Sequence, residues 1–269
     1  MDNKQQYALI TGATEGIGKE LAKQFADNGF NLVLVARSKD ELAATASELQ
    51  QQSGAEVITV QKDLMKRESP FEVFEEVKAK GIQVDVLVNN AAQGKFGEFV
   101  KTDIQEELDM VQLNIGAYIT FTKLYLKEMV ARNSGKILIV SSVAGEIPGP
   151  LQAVYHGTKA FLNSFTVALR EEIRDMDIKI TTLMPGPTDT GFFEKADMED
   201  SKMVQEGKLA DPAKVAEDGF EALMAGEREV ISGFKNKAMV AGTKLMPDRM
   251  AAKGIRKQSE PEDKSKKEE

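Results

Sequence analysis

Tyr7-Ala8-Leu9-Ile10 runs straight into Thr11-Gly12-Ala13-Thr14-Glu15-Gly16-Ile17-Gly18, and a helical period follows to residue 27. A short apolar strand, a glycine-rich turn and a helix start therefore succeed one another without a gap. Glycines at such a turn let the backbone double back, approach a pyrophosphate closely and bring the helix against the strand. The first turn of the helix then offers unpaired N–H groups and the positive end of its dipole to the anion. The spacing is G-x-x-x-G-x-G, not G-x-G-x-x-G. Three glycines could be a tight turn and nothing more. Their place between a strand and a helix of one βαβ unit favours the phosphate reading.

The same alternation continues outward along the chain. Short runs rich in Val, Ile and Leu recur at 7–10, 31–36, 56–60, 85–88, 136–140, 179–184 and 229–232, as expected of strands buried on both faces. Helical stretches lie between them at 18–27, 39–52, 70–79, 103–131 and 154–174, punctuated by Asn28-Gly29, Ser53-Gly54, Lys80-Gly81 and Ser134-Gly135. The pattern predicts a Rossmann-type, doubly wound parallel sheet of about seven strands between two helical layers. It leaves no material for a second core. One catalytic domain is expected over 1–235, with a weakly patterned flap at 187–210, a basic extension over 236–256 and a disordered tail over 257–269.

Composition removes several chemistries. The chain has 269 residues, 35 basic and 43 acidic, with net charge −8, which argues against general nucleic-acid binding. With no cysteine and a single histidine, His156, thiolate and multi-histidine metal sites are excluded. No metal is expected. A Ser-His-Asp hydrolase lacks a G-x-S-x-G elbow. The first ten residues lack the layout of a signal peptide and no apolar run approaches ~18 residues, so a cytoplasmic protein without a membrane span is expected.

At the end of the second strand, where a dinucleotide's ribose would lie, stands Arg37-Ser38-Lys39. An acid there suits a free 2′-hydroxyl, whereas a planar guanidinium suits a 2′-phosphate. NADP is therefore favoured over NAD. After the fifth strand come Ser141-Ser142, then Tyr155-His156-Gly157-Thr158-Lys159. Tyr155 and Lys159 are one helical turn apart on a shared face. A cation so placed is expected to lower the phenol's pKa toward the working range. Tyr155 would then exchange a proton with a carbonyl or alcohol oxygen that Ser142 holds. His156 lies about 100° round the helix and is read as an ordinary helix residue.

Taken together these motifs resemble the short-chain dehydrogenases/reductases over about residues 5–235. The turn at 11–18 is similar to that family's T-G-x-x-x-G-x-G. Asp63-Leu64 looks like its adenine-holding pair, and Asn89-Asn90-Ala91-Ala92 like N-N-A-G with Ala92 in place of glycine. Asn114 looks like its helix asparagine, and Pro185-Gly186-Pro187-Thr188-Asp189-Thr190 like its P-G motif. The resemblance implies catalytic roles for Asn114, Ser142, Tyr155 and Lys159. It implies cofactor contacts from Gly12, Thr14, Glu15, Gly16, Ile17, Gly18, Arg37, Ser38, Asp63, Leu64, Asn90, Ala91, Pro185, Gly186, Thr188 and Thr190, besides Tyr155 and Lys159. Glu15 departs from the basic residue many NADP users carry there. The expected activity is NADPH-dependent reduction of a ketone or aldehyde, or its reverse. The alternative is an NADP-binding regulator without turnover.

Phe96, Phe99, Ile147, Pro148, Leu151, Phe192, Phe193, Met198 and Met203 are expected over the nicotinamide and suit a lipophilic substrate. Residues 235–257 carry seven cations and one acid among apolar residues, a pattern that fits a lid, a solvated helix or a membrane-surface contact. The apolar surplus of 103–131 and 154–174 (Leu108, Val111, Ile119, Phe161, Phe165 and Val167 among it) and the family resembled both imply a homodimer or homotetramer.

Overall fold

Parallel strands, the central ones buried on both faces, set the architecture. The structure, a computed structural model describing residues 6–243 and 246–260, has seven of them: β1 (Tyr7–Thr11), β2 (Asn31–Ala36), β3 (Val57–Gln61), β4 (Val84–Asn89), β5 (Gly135–Val140), β6 (Ile178–Met184) and β7 (Glu229–Ile231). Their order is β3-β2-β1-β4-β5-β6-β7, all parallel. Alternation explains why the strands read as unbroken apolar runs. Ile10, Leu32, Leu34, Val86 and Val88 enter one core layer, while Leu9, Val33, Val35, Leu87 and Ile139 enter the other.

The first layer is closed by α1 (Gly16–Asp27), α2 (Lys39–Ser53) and α9 (Pro212–Ala225), through Phe25, Leu42 and Phe220. The second is closed by α3 (Ser69–Ala79), α5 (Ala117–Arg132) and α6 (Ala153–Glu172), through Phe74, Phe121 and Leu162. Local chemistry sets the helix ends. Ser38 caps α2 by accepting from the Glu41 amide at 3.3 Å, and Asp211 caps α9 by accepting from Ala213 at 2.9 Å. Gly54 and Gly226 end the same two helices in the left-handed region.

The helix expected over 103–131 is interrupted. It divides into α4 (Ile104–Val111), a π-helical turn (Gln112–Gly116) and α5. The wide turn sets Asn114 inward, where its amide bonds both backbone groups of Gln93, accepting at 3.0 Å and donating at 2.9 Å. Apolar period cannot reveal one extra residue per turn, and such bulges gather at functional sites.

The flap at 187–210 carries two short helices, α7 (Phe192–Lys195) and α8 (Lys202–Gln205). Its base is closed where Asp189 donates to Ala210 and Ala210 to Pro187, each at 2.9 Å. Two further helices follow β7: α10 (Phe234–Thr243) and α11 (Asp248–Ser259). The tail expected from 257 therefore starts too early, because Lys257–Ser259 form the last turn of α11. Residues 261–269 lie outside the described residues. Among the described residues no helix is long and apolar enough to cross a membrane, and no cluster of His, Asp or Glu could hold a metal.

Candidate active site

The strand order reverses between β1 and β4, and both strands point their C-terminal ends at the gap. In open α/β sheets this is where ligands bind. Thr11 and Asn90 join the two strand ends. The Thr11 hydroxyl accepts from the amides of Asn90 and Ala91 at 2.9 and 3.1 Å. The Asn90 side chain donates to the carbonyls of Thr11 and Gly12 at 2.9 and 3.1 Å. Little space is left between them. A Cβ at Gly12 (φ +65) would stand 2.9 Å from Ala91 Cα, and one at Gly18 would run into the Gly12 carbonyl. The turn thus needs glycine at both positions.

A cavity of about 490 Å³ opens above this junction. The structure brings every sequence-expected site residue except Asn114 into its wall. At one end lie Arg37, Ser38, Asp63 and Leu64; in the middle Gly12–Gly18, Asn90 and Ala91; at the other Ser142, Tyr155 and Lys159, covered by Pro185–Thr190. Asn114 sits behind the wall, fully buried. Besides Gln93 it reaches Thr158 at 3.2 Å, and Thr158 bonds the Tyr155 carbonyl at 2.7 Å. It therefore fixes the first turn of α6.

A dinucleotide fits these residues. Glu15, at the N-cap of α1, makes no side-chain capping bond, and the first turn has no acid, so the amides there are left for an anion. Arg37 is exposed at the rim and has no ion pair among the described residues. Glu41 and Lys62 share this rim, with Lys62 paired to Glu72 at 2.7 Å. Ser38 spends an acceptor on its helix cap and keeps its O–H to donate. Glu15 is ion-paired to Lys195 of the flap, so its charge is answered.

At the reacting end, Ser142 accepts from the Ala144 amide at 3.1 Å and donates to the Pro185 carbonyl at 3.3 Å. Ser142 also acts to lower the Tyr155 pKa, against the larger effect of burial. Lys159 is buried, donates to the Val140 carbonyl at 3.0 Å, and lies 5.8 Å from the Tyr155 ring centre. Burial pushes Lys159 down to about 7 and Tyr155 up to about 12. The expectation of a phenol drawn toward neutrality is thus not met. Desolvation penalises each charged form, so burial decides both shifts.

Four features escaped the sequence reading. His156 is mostly buried, bonds the Ile147 carbonyl through Nδ1 at 2.7 Å, and packs on Gly149, pinning the loop beside the tyrosine. Lys195 reaches the phosphate turn only because the flap folds over it. Gln152 lines the cavity beside Tyr155. Ile255 and Gln258 bring α11 into the wall, which makes the basic extension part of the site. Of the expected apolar cover, Phe192 lies on Tyr155 with ring centres 5.2 Å apart, and Met203 and Ile147 also line the cavity. Phe193 also lines the cavity while packing with Met198 in the flap's own small core. Phe99, Pro148 and Leu151 stay outside the cavity, Phe99 being 62% exposed.

Comparison with known proteins agrees with this geometry. The family model described as short chain dehydrogenase matches residues 6–201. A very-long-chain 3-oxoacyl-CoA reductase of Laccaria bicolor is 40% identical over 182 residues, 67% of this chain and 54% of that protein. The 17-beta-hydroxysteroid dehydrogenase type 3 of Rattus norvegicus is 37% identical over 183 residues, 67% of this chain and 59% of that one. The chain thus spans little more than half the length of these curated relatives. Among solved structures, a short-chain dehydrogenase from Sphingobium yanoikuyae in complex with NADPH superposes with a TM-score of 0.81 at 26% identity, covering 96% of this chain and 99% of its own.

Proposed function

The chain belongs to the short-chain dehydrogenase family, and from that premise we propose that it reduces a lipophilic ketone to an alcohol with NADPH. One observation carries the reading: Tyr155 and Ser142 line the same cavity, with Lys159 buried behind them. When bound, the nicotinamide supplies a hydride to the carbonyl carbon. Gly12–Gly18 and the start of α1 hold its phosphates, and Arg37 and Ser38 hold a 2′-phosphate.

The chain's own part is proton supply and orientation. A phenol raised to about 12 is fully protonated at neutral pH and stands ready as an acid, which suits the reductive direction. Ser142 turns its hydroxyl from Pro185 to the substrate oxygen and steadies the charge that develops there. Lys159 stabilises the phenolate left behind, and Asn114 keeps the helix turn carrying both in place. Phe192 and Met203 give the remainder of the substrate an apolar cover. The relatives' names support a ketone within a long acyl or steroid-like body.

A regulator that binds NADP without turnover is the second reading, favoured by Phe192 lying on Tyr155 where a substrate would sit. Turnover separates the two. A panel of hydrophobic ketones should be reduced at the expense of NADPH, and Tyr155→Phe should lower kcat/KM by about 10²–10⁴-fold while cofactor affinity holds. NADPH binding with no ketone turned over would favour the regulator.

Cofactor choice rests on Arg37. Thermal shift should show NADPH raising Tm more than NADH, and Arg37→Asp should reverse that order. Equal shifts in the unchanged protein would contradict the assignment.

The exposed apolar residues Ile104, Leu108, Ile119 and Val167 on α4, α5 and α6 support pairing of two copies through these helices. Light scattering should give at least twice the 29.5 kDa chain mass, and Val167→Glu should shift the population toward monomer. A single-chain mass in the unchanged protein would refute the pairing.

A further inference from the structure

The helix α11 has two unlike faces. Ala251, Ile255 and Ser259 recur every four residues and turn inward, Ala251 and Ser259 being buried and Ile255 reaching the cavity wall with Gln258. At about 100° per residue, Arg249, Lys253, Arg256 and Lys257 fall within one arc of roughly 100° on the other side. No acid of the helix lies in that arc, since Asp248 falls on the inward side. Arg256 turns to Glu260 at 3.2 Å, while Arg249, Lys253 and Lys257 have no ion pair among the described residues.

Apolar side chains accompany the cations. Met250 borders the arc and is 62% exposed, and Met246 just before the helix is 52% exposed. Residues 234–260 hold seven cations and two acids in a chain whose net charge is −8. The segment is basic within an acidic chain.

We propose that the outer face of α11 docks on an anionic phospholipid surface. Headgroup phosphates and carboxylates answer the unpaired cations, and the interfacial zone takes up Met250 and its apolar neighbours. An acidic protein or a nucleic acid would use the cations but leave the exposed apolar side chains in water. The same helix walls the cavity with its inner face, so docking sets the membrane beside the site. Delivery of a bilayer-dissolved ketone follows from this only if the reductase reading holds. The docking itself does not depend on it.

Vesicle sedimentation of the full chain tests the surface without any turnover. Phosphatidylcholine vesicles carrying roughly 30% phosphatidylserine should pellet the protein at low salt, pure phosphatidylcholine should not, and high salt should release it. The variant R249E/K253E/K257E should bind on the order of 100-fold more weakly. Its circular dichroism and its thermal shift with NADPH should be unchanged. Failure to pellet with phosphatidylserine, equal binding to the neutral vesicles, or full binding by the variant would each overturn the proposal. So would capture by soluble polyglutamate with the vesicles ignored. A protein that pellets as expected yet reduces no ketone would leave the docking surface standing and count against the reductase reading alone.

Discussion

Burying a lysine beside a tyrosine on the first two turns of α6 is the constraint on which the rest of the site depends. Lys159 has 2% of its surface exposed and one carbonyl, that of Val140, within bonding distance. An ammonium placed there loses most of its hydration and recovers little of it, so the proton is held weakly. The tyrosine suffers the opposite shift for the same reason, since burial disfavours the phenolate. The outcome is a neutral phenol aimed into a cavity over an amine near its midpoint. Such a pair is set to give a proton and then to stabilise the anion left behind.

Holding that pair requires much of the fold. The Ser141 hydroxyl bonds the Lys159 carbonyl at 3.2 Å and Asn163 at 2.6 Å, and Asn163 donates to Glu146 at 2.7 Å. These bonds fasten α6 to the end of β5 and to the turn that carries Ser142. Asn114 does the same from the other side through Thr158, at the cost of a π-helical turn in an otherwise regular helix. The phosphate turn is held separately, by Thr11 and Asn90 across the reversal of strand order. The two ends of the cavity are thus positioned independently, one from β1 and β4 and the other from β5 and α6.

Much of this was legible in the sequence because it rests on local chemistry. Strands buried on both faces read as unbroken Val, Ile and Leu, and glycines required by close packing stand at fixed offsets from a strand end. Tyr155 and Lys159 share a face because the helix period puts them there. What sequence could not supply were contacts between distant segments. Nothing near Lys195 marks it as the partner of Glu15, 180 residues away in the chain. Nothing in the spacing of Ile255 and Gln258 says that α11 returns to the site. The π-helical turn hides because a single added residue barely disturbs the apolar pattern. The direction of the tyrosine shift was misjudged for a related reason: proximity of a cation is visible in spacing, whereas the depth of burial that weakens it is a property of the whole fold.

Titration of the Lys159 amine tests this account most directly. With lysine side chains isotopically labelled and Lys159→Met used to assign the resonance, the cofactor-free protein should show a midpoint at about 7. Between about pH 7 and pH 10 the unfolded chain keeps this proton while the folded one has shed it. Stability should therefore rise with pH across that window, by at most about 1.4 kcal/mol per pH unit, and the methionine variant should lose the slope. A midpoint left near ~10.4, the ordinary value for lysine, would contradict the claim that burial governs the proton chemistry of this site.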